Sequence, residues 1–306
     1  MPVDAPPAPP GVAEWLRPGK DGGLRRVLAP NPSPMTGRGT NSYIVGTGSV
    51  ALIDPGPDDD RHLAALLAAL DPGERISHIF VTHAHRDHSA LAPRLAAATG
   101  APVLAFGDAT AGRSELMEDL ARREAPTGGE GADRAFRPDR LVADGDQVAG
   151  GDWSLTALHT PGHFGNHLCL DWQGEVFSGD HVMGWSTSIV APPDGDMGAY
   201  MRSLDRLAAA RPARLWPGHG DPVLAPLARI AELTLHRQAR ARAITEALRE
   251  GPATPLNLAR QIYTDTPTAL LGAAALNTFA HLIELSEKNE AIAEGDLRFS
   301  ARFRLT

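Results

Sequence analysis

The chain has 306 residues, 42% hydrophobic and 22% charged, near ordinary globular values and enough to bury a large core without cross-links. Cys169 is the single cysteine, which excludes an intramolecular disulfide and leads us to expect a reducing, cytoplasmic setting. A net charge of −8 excludes a uniformly basic nucleic-acid binder, although bound metal ions would add local positive charge of their own.

Residues 1–23 are rich in Pro and Gly and read as a flexible N-terminal segment. They lack the charged start and apolar run of a secretory signal. No run in the chain reaches the roughly 18 apolar residues of a membrane helix, so no membrane partner is expected. Short strands follow at Arg26–Ala29, Ser42–Val45 and Val50–Ile53, the last two joined at Gly46-Thr47-Gly48 as a hairpin. Asp58, Asp59 and Asp60 open a helix over 58–70, with Leu63, Leu66, Leu67 and Leu70 at helical spacing.

An apolar strand at Ile76–Val81 leads into His83, followed by a helix at Ser89–Thr99 and a strand at Pro102–Ala105. Residues 107–140 are polar and read as a surface excursion with one helix near Glu115–Arg123, usable as a flexible rim. Strands at Ser154–Leu158, His167–Asp171 and Val176–Ser178, a helix at Met197–Ala209 and a strand at Arg214–Trp216 complete a unit over 24–226. Helices at 227–249, Pro255–Tyr263 and Ala269–Lys288 and two β-like runs, Ala291–Ala293 and Leu297–Arg304, then give residues 227–306 a linker helix plus winged-helix layout.

Histidine and aspartate cluster just beyond predicted strands: His83, His85, Asp87 and His88 in one run, His163 in Thr-Pro-Gly-His, Asp180 in Ser-Gly-Asp-His, and His219 in Pro-Gly-His-Gly. In extended chain His83 and His85 face the same side, while Asp87 and His88 turn the other way and are placed to hold a second ion. Imidazole and carboxylate suit zinc, and a site without thiolates leaves room for water. Helix-cap aspartates and core histidines are the structural alternative for any one of these residues, but not for the set.

The run His83-Ala84-His85-Arg86-Asp87-His88, with the three later motifs in order, resembles the HxHxDH signature of the metallo-β-lactamase superfamily. The resemblance implies a four-layer αββα sandwich with His83, His85 and His163 on a first metal, Asp87, His88 and His219 on a second, and Asp180 bridging. Two Zn²⁺ ions, with Mn²⁺ or Fe as alternatives, would share a water and convert it to hydroxide near neutral pH. Asp87 is expected to orient that nucleophile and handle its proton.

Gly39-Thr40-Asn41-Ser42-Tyr43, the run from Gly179 to Gly184 and the C-terminal layout resemble the lactamase-β-like endoribonuclease group. Single-stranded RNA is therefore the favoured substrate class. A glyoxalase-II-like thioesterase or other small-ester hydrolase is the alternative. A β-lactamase ranks below both, because many place Cys or Ser where Asp180 stands, and so does a non-catalytic nucleic-acid-binding module.

Arg237, Arg240, Arg242, Arg298, Arg302 and Arg304 are candidates to grip RNA phosphates, against a solvated face or a homodimer contact. His167 and His181 are read as structural histidines or as contacts to a leaving group. Ser186, Thr187 and Ser188 touch substrate or close a turn. Asn41 and Tyr43 belong to the hairpin, and Cys169 to the core.

Overall fold

The computed structural model describes residues 8–17, 23–123 and 131–306. Among these, one sheet runs in the order β1 (Ala13–Arg17), β2 (Leu24–Leu28), β3 (Asn41–Val45), β4 (Ser49–Ile53), β5 (Arg75–Phe80), β6 (Val103–Ala105) and β7 (Arg140–Leu141). A second sheet holds β8 (Gln147–Gly150), β9 (Trp153–His159), β10 (Leu168–Trp172), β11 (Glu175–Gly179) and β12 (Arg214–Pro217). Strand alternation assigns the layers. Tyr43, Val45, Ala51 and Ile53 point between the sheets, where they meet Leu168, Leu170 and Phe177. Their neighbours Ile44, Val50 and Leu52 face outward, onto Leu66 of α1 (Asp60–Ala68) and Leu95 of α3 (Ala92–Thr99).

The outer face of the second sheet is covered in the same way. Cys169, Val176 and Leu215 pack on Tyr200 and Leu204 of α5 (Met197–Ala210) and on Ile230 and Leu233 of α6 (Pro226–Leu248). The four layers expected from the resemblance are thus present. Beyond α6 come α7 (Pro255–Ile262), α8 (Leu271–Glu287) and an antiparallel pair of β13 (Ala291–Ala293) and β14 (Phe303–Leu305). These share a cluster with Met117 and Leu120 of α4 (Glu115–Arg123).

Several expectations change. Residues 1–7 and 18–22 of the supposed flexible segment lie outside the described residues, but Ala13–Arg17 is an edge strand. It is held by antiparallel pairing to β2, by Glu14 on Arg26 at 2.6 Å and by Trp15 under the Arg25 guanidinium. The helix expected at Ser89–Thr99 is two helices, α2 (Arg86–Ser89) and α3, because Pro93 in the first turn of α3 has no N–H to continue the ladder of α2. The second β-like run of the C-terminus shortens to Phe303–Leu305.

Of the 107–140 excursion, residues 124–130 lie outside the described residues. Its return leg is not a loose rim: Gly131 O accepts the amide of Arg86 at 2.7 Å, and Ala132 and Phe136 are buried. Finally, the helical stretch Thr268–Glu287 has the length and mean apolar character to cross a membrane, but it is interrupted by Asn277, His281 and Glu284, and 61% of its most apolar 18 residues are buried inside the fold, as in a core helix.

Candidate metal centre

Strands β4 and β5 run parallel, as do β11 and β12, and the four C-terminal ends deliver polar residues to one edge of the sandwich. Asp54 ends β4, His83 follows β5, Asp180 follows β11 and His219 follows β12. His163 comes from the β9–β10 connection. His85 caps α2 in an extended conformation, and Asp87 and His88 then sit in the first helical turn. All seven sequence-predicted residues converge in two groups, His83/His85/His163/Asp180 and Asp87/His88/His219, each with ligand atoms within 4.8 Å of one another.

The imidazole tautomers follow from partners that can only accept. His163 Nδ1 donates to Ile189 O at 2.6 Å, His219 Nδ1 to Gly39 O at 3.2 Å and His88 Nδ1 to Asp54 Oδ2 at 2.8 Å. Thr82 Oγ1 donates to Asp54 Oδ2 at 2.9 Å, so His83 Nδ1, 3.0 Å away, donates to that hydroxyl. Four Nε2 lone pairs therefore point inward. His85 Nδ1 completes the first group, 2.8 Å from His83 Nε2 and 3.0 Å from His163 Nε2. Asp180 Oδ2 lies 3.2 Å from His219 Nε2 and 3.8 Å from His163 Nε2, between the two groups. Its buried Oδ1 has His88 Nε2 near it, at 3.4 Å. Convergent imidazole nitrogens around two buried carboxylates form a donor set suited to cations, and the residues fit two metal ions.

The electrostatics divide the same way. Burial lowers the pKa of His83 and His163 and brings His85 to about 3, so these imidazoles are neutral and ready to ligate. Burial also opposes charge on His88 and His219, but the carboxylates of Asp180 and Asp87 outweigh it, with Asp54 adding to the effect on His88. His219 rises to about 9, and His88 rises well above its ordinary value. Asp87 and Asp180 are held below the usual carboxylate range by those imidazoles, against the effect of burial. Cations bound at the second group would replace these protons.

The motif turns are held from the other sheet. Asn41 Nδ2 donates to Pro217 O and Gly220 O at 3.0 and 2.8 Å, and Tyr43 Oη to Pro217 O at 2.8 Å. Both hairpin residues thus anchor the turn that carries His219. Thr40 Oγ1 donates to Asp87 Oδ2 at 3.1 Å. Sequence reasoning missed Asp54 and Thr82. The available signal was an aspartate at a strand end, in Ile53-Asp54-Pro55-Gly56, of the same kind as the motifs that were noticed.

His167 and His181 are fully buried and do not line the cavity, in keeping with their reading as structural histidines. His167 Nδ1 meets Thr160 Oγ1 at 2.9 Å, and His181 packs on Tyr200. Ser188 is buried, with its hydroxyl on Asp180 O and His181 O, whereas Ser186 and Thr187 reach the cavity. Cys169 is buried core, as expected.

The centre opens into a cavity of about 470 Å³. Its walls include Pro34, Met35, Met183, Ile189, Ala273 and Leu276, and among the described residues no Lys or Arg lines it. Of the arginines considered for phosphate, Arg237 is 2% exposed, Arg240 lies over the Tyr263 ring and Arg302 pairs with Glu294. Arg242, Arg298 and Arg304 are exposed.

The sequence matches the Metallo-beta-lactamase superfamily over residues 35–219. It is 32% identical over 282 residues to the Beta-lactamase-like protein 2 homolog of Drosophila melanogaster, covering 90% of this chain and 89% of that one. It is 34% identical over 199 residues to an atrochrysone carboxyl ACP thioesterase of Paecilomyces divaricatus, covering 64% of this chain and 54% of that one. Its fold is similar to that of a beta-lactamase domain protein from Burkholderia ambifaria, with a TM-score of 0.80 at 22% identity, covering 99% and 96% of the two chains.

Proposed function

The chain belongs to the metallo-β-lactamase superfamily of metal-dependent hydrolases, and we propose that it hydrolyses a thioester or other carbonyl ester with an apolar acyl group. The observation that carries this reading is the cavity wall: apolar side chains beside the His/Asp groups, with no Lys or Arg among the described residues. A phosphodiester substrate needs cationic partners for its backbone at the site; Arg237 is buried, Arg240 is stacked on a ring, and the exposed Arg242, Arg298 and Arg304 are not part of the cavity wall. The thioesterase name of one relative supports the same direction. RNA, favoured by the sequence, becomes the lesser reading. The order of α7, α8 and the β13–β14 hairpin supports a winged-helix reading of the C-terminal part, used here as a wall of the cavity through Ala273 and Leu276.

We assign His83, His85 and His163 to a first metal, Asp87, His88 and His219 to a second, and Asp180 as the bridge, with zinc the metal that best suits these donors. Two such ions, when bound, would supply Lewis acidity and a water acidic enough to ionise near neutral pH. Asp87, charged at neutral pH and partly open to the cavity, is held by Thr40 and His219 in a position to orient the attacking water and accept its proton. The apolar walls seat the acyl chain and exclude competing water from the carbonyl.

The test is side-by-side hydrolysis of S-lactoylglutathione, a medium-chain acyl thioester, single-stranded RNA and a cephalosporin, with metal analysis. We expect turnover of the acyl thioester, about two metal ions per chain, and loss of turnover with retained folding in His83→Ala and Asp87→Ala. Cleavage of RNA with no thioester turnover would overturn the substrate assignment, and wild-type activity in both variants would overturn the site.

A further inference from the structure

Between Asp180 and α5 the chain runs along the cavity wall as an irregular loop, and side chains from the C-terminal helices hold it. Arg229 of α6 donates its Nε to Met183 O at 2.8 Å and an Nη to Ser186 O at 2.7 Å. Arg237, about two turns further along the same helix, donates to Ser188 O and, at 3.2 Å, to Asn277 Oδ1 of α8. The same Asn277 oxygen accepts the Val190 amide at 3.0 Å. Residues 188 and 190 are thus fixed on either side of Ile189, and Ile189 O is the acceptor for His163 Nδ1.

A guanidinium buried to 2% exposure is costly unless its hydrogen bonds are needed where it lies. Here it also sits over the Tyr200 ring at 5.0 Å, and Tyr200 Oη donates to His181 O, immediately after Asp180.

We propose that Arg237 and Asn277 are positioning residues for His163, fixing through Ile189 O the ring orientation and tautomer that aim its Nε2 at the first metal. The C-terminal helices then belong to the metal centre itself, and α8 presents Asn277 to the loop while Ala273 and Leu276 face the cavity. The proposal rests on the metal assignment above but not on the choice of substrate.

The experiment follows zinc release to a chelator and the visible spectrum of the Co²⁺-substituted protein in Asn277→Ala, Asn277→Asp and Arg237→Lys. Loss of a partner outside the ligand set typically costs 10–100-fold in metal affinity. We expect Asn277→Ala, folded by circular dichroism, to release one of its two zinc ions at least ~10-fold faster and to show a changed Co²⁺ spectrum. Asn277→Asp keeps an acceptor oxygen for both the Val190 amide and Arg237, loses only the 3.3 Å donation from Nδ2 to Ala273 O within α8, and should hold zinc close to wild type. Arg237→Lys keeps a donor to Ser188 O and should fall between them. A folded Asn277→Ala with wild-type release and spectrum would overturn the proposal. So would Asn277→Asp losing zinc as fast as Asn277→Ala. Wild-type protein that takes up no zinc or cobalt would overturn the metal assignment itself and this proposal with it, whatever substrate is cleaved.

Discussion

Asp54 and His88, 34 residues apart in sequence, meet at 2.8 Å, with the aspartate accepting the Nδ1 proton of the histidine. The same carboxylate accepts from the Thr82 amide and hydroxyl, and Thr82 in turn takes the Nδ1 proton of His83. One buried carboxylate therefore sets the tautomer of a histidine in each metal group. Asp54→Ala should weaken zinc binding by about 10–100-fold, with the second group affected most. Isothermal titration of the metal-free protein checks this, and unchanged binding would remove Asp54 from the centre.

Gly218, immediately before His219, packs closely against Asp180 and His88. A Cβ at this position would stand 2.5 Å from Asp180 Oδ1 and 2.6 Å from His88 Cε1. Neither neighbour can move without leaving the position proposed for it at the metal centre, so Gly218→Ala should displace Asp180. Displacements of this size commonly lower kcat by ~100-fold. The expected outcome is a folded protein with reduced metal content, read by elemental analysis and steady-state kinetics.

Leu276 lines the cavity from α8, a helix that none of the His/Asp motifs includes. Leu276→Trp should fill acyl space and raise KM for a medium-chain thioester by about 10-fold, the scale of one or two methylenes. An acetyl thioester should be unaffected, as should zinc content. Equal effects on both substrates would show that the chain does not lie there.

His62 is fully buried with its ring on Ser42 Oγ at 2.9 Å, and burial lowers its pKa to about 4, with the Asp59 carboxylate opposing. The unfolded chain takes up a proton at His62 below pH 6.5 that the folded chain refuses until about pH 4. Stability from this site is therefore whole at neutral pH and lost as the pH falls through that window, by about 3 kcal/mol in full. Urea unfolding of metal-free protein at pH 7 and 4.5 should show His62→Gln losing about 2–3 kcal/mol less than wild type. Equal losses would mean that the folded site accepts the proton.

The helices and hairpin were legible because their periodicities are local. Helix α4 falls on its expected bounds, and Gly46-Thr47-Gly48 does turn between β3 and β4. Strands β1 and β8 were not legible, since each is short and defined by its pairing partner rather than by its own pattern. Arg237 shows the opposite failure. Its charge is visible in the sequence and suggested a phosphate contact, but its burial between α6, α8 and the 183–190 loop is a property of packing.

By itself the sequence marked the candidate donor set: five histidines and two aspartates just beyond predicted strands, placed to converge at one end of a sheet. That much follows from residue chemistry and alternation, which need no partner to be read. The tertiary structure decided the rest. It placed Asp54 behind His88, buried Arg237 against the loop that aims His163, and drew Ala273 and Leu276 to the cavity wall. Each of these depends on contacts between residues far apart in the chain, and neither the spacing of a motif nor the charge of a residue records where those contacts fall.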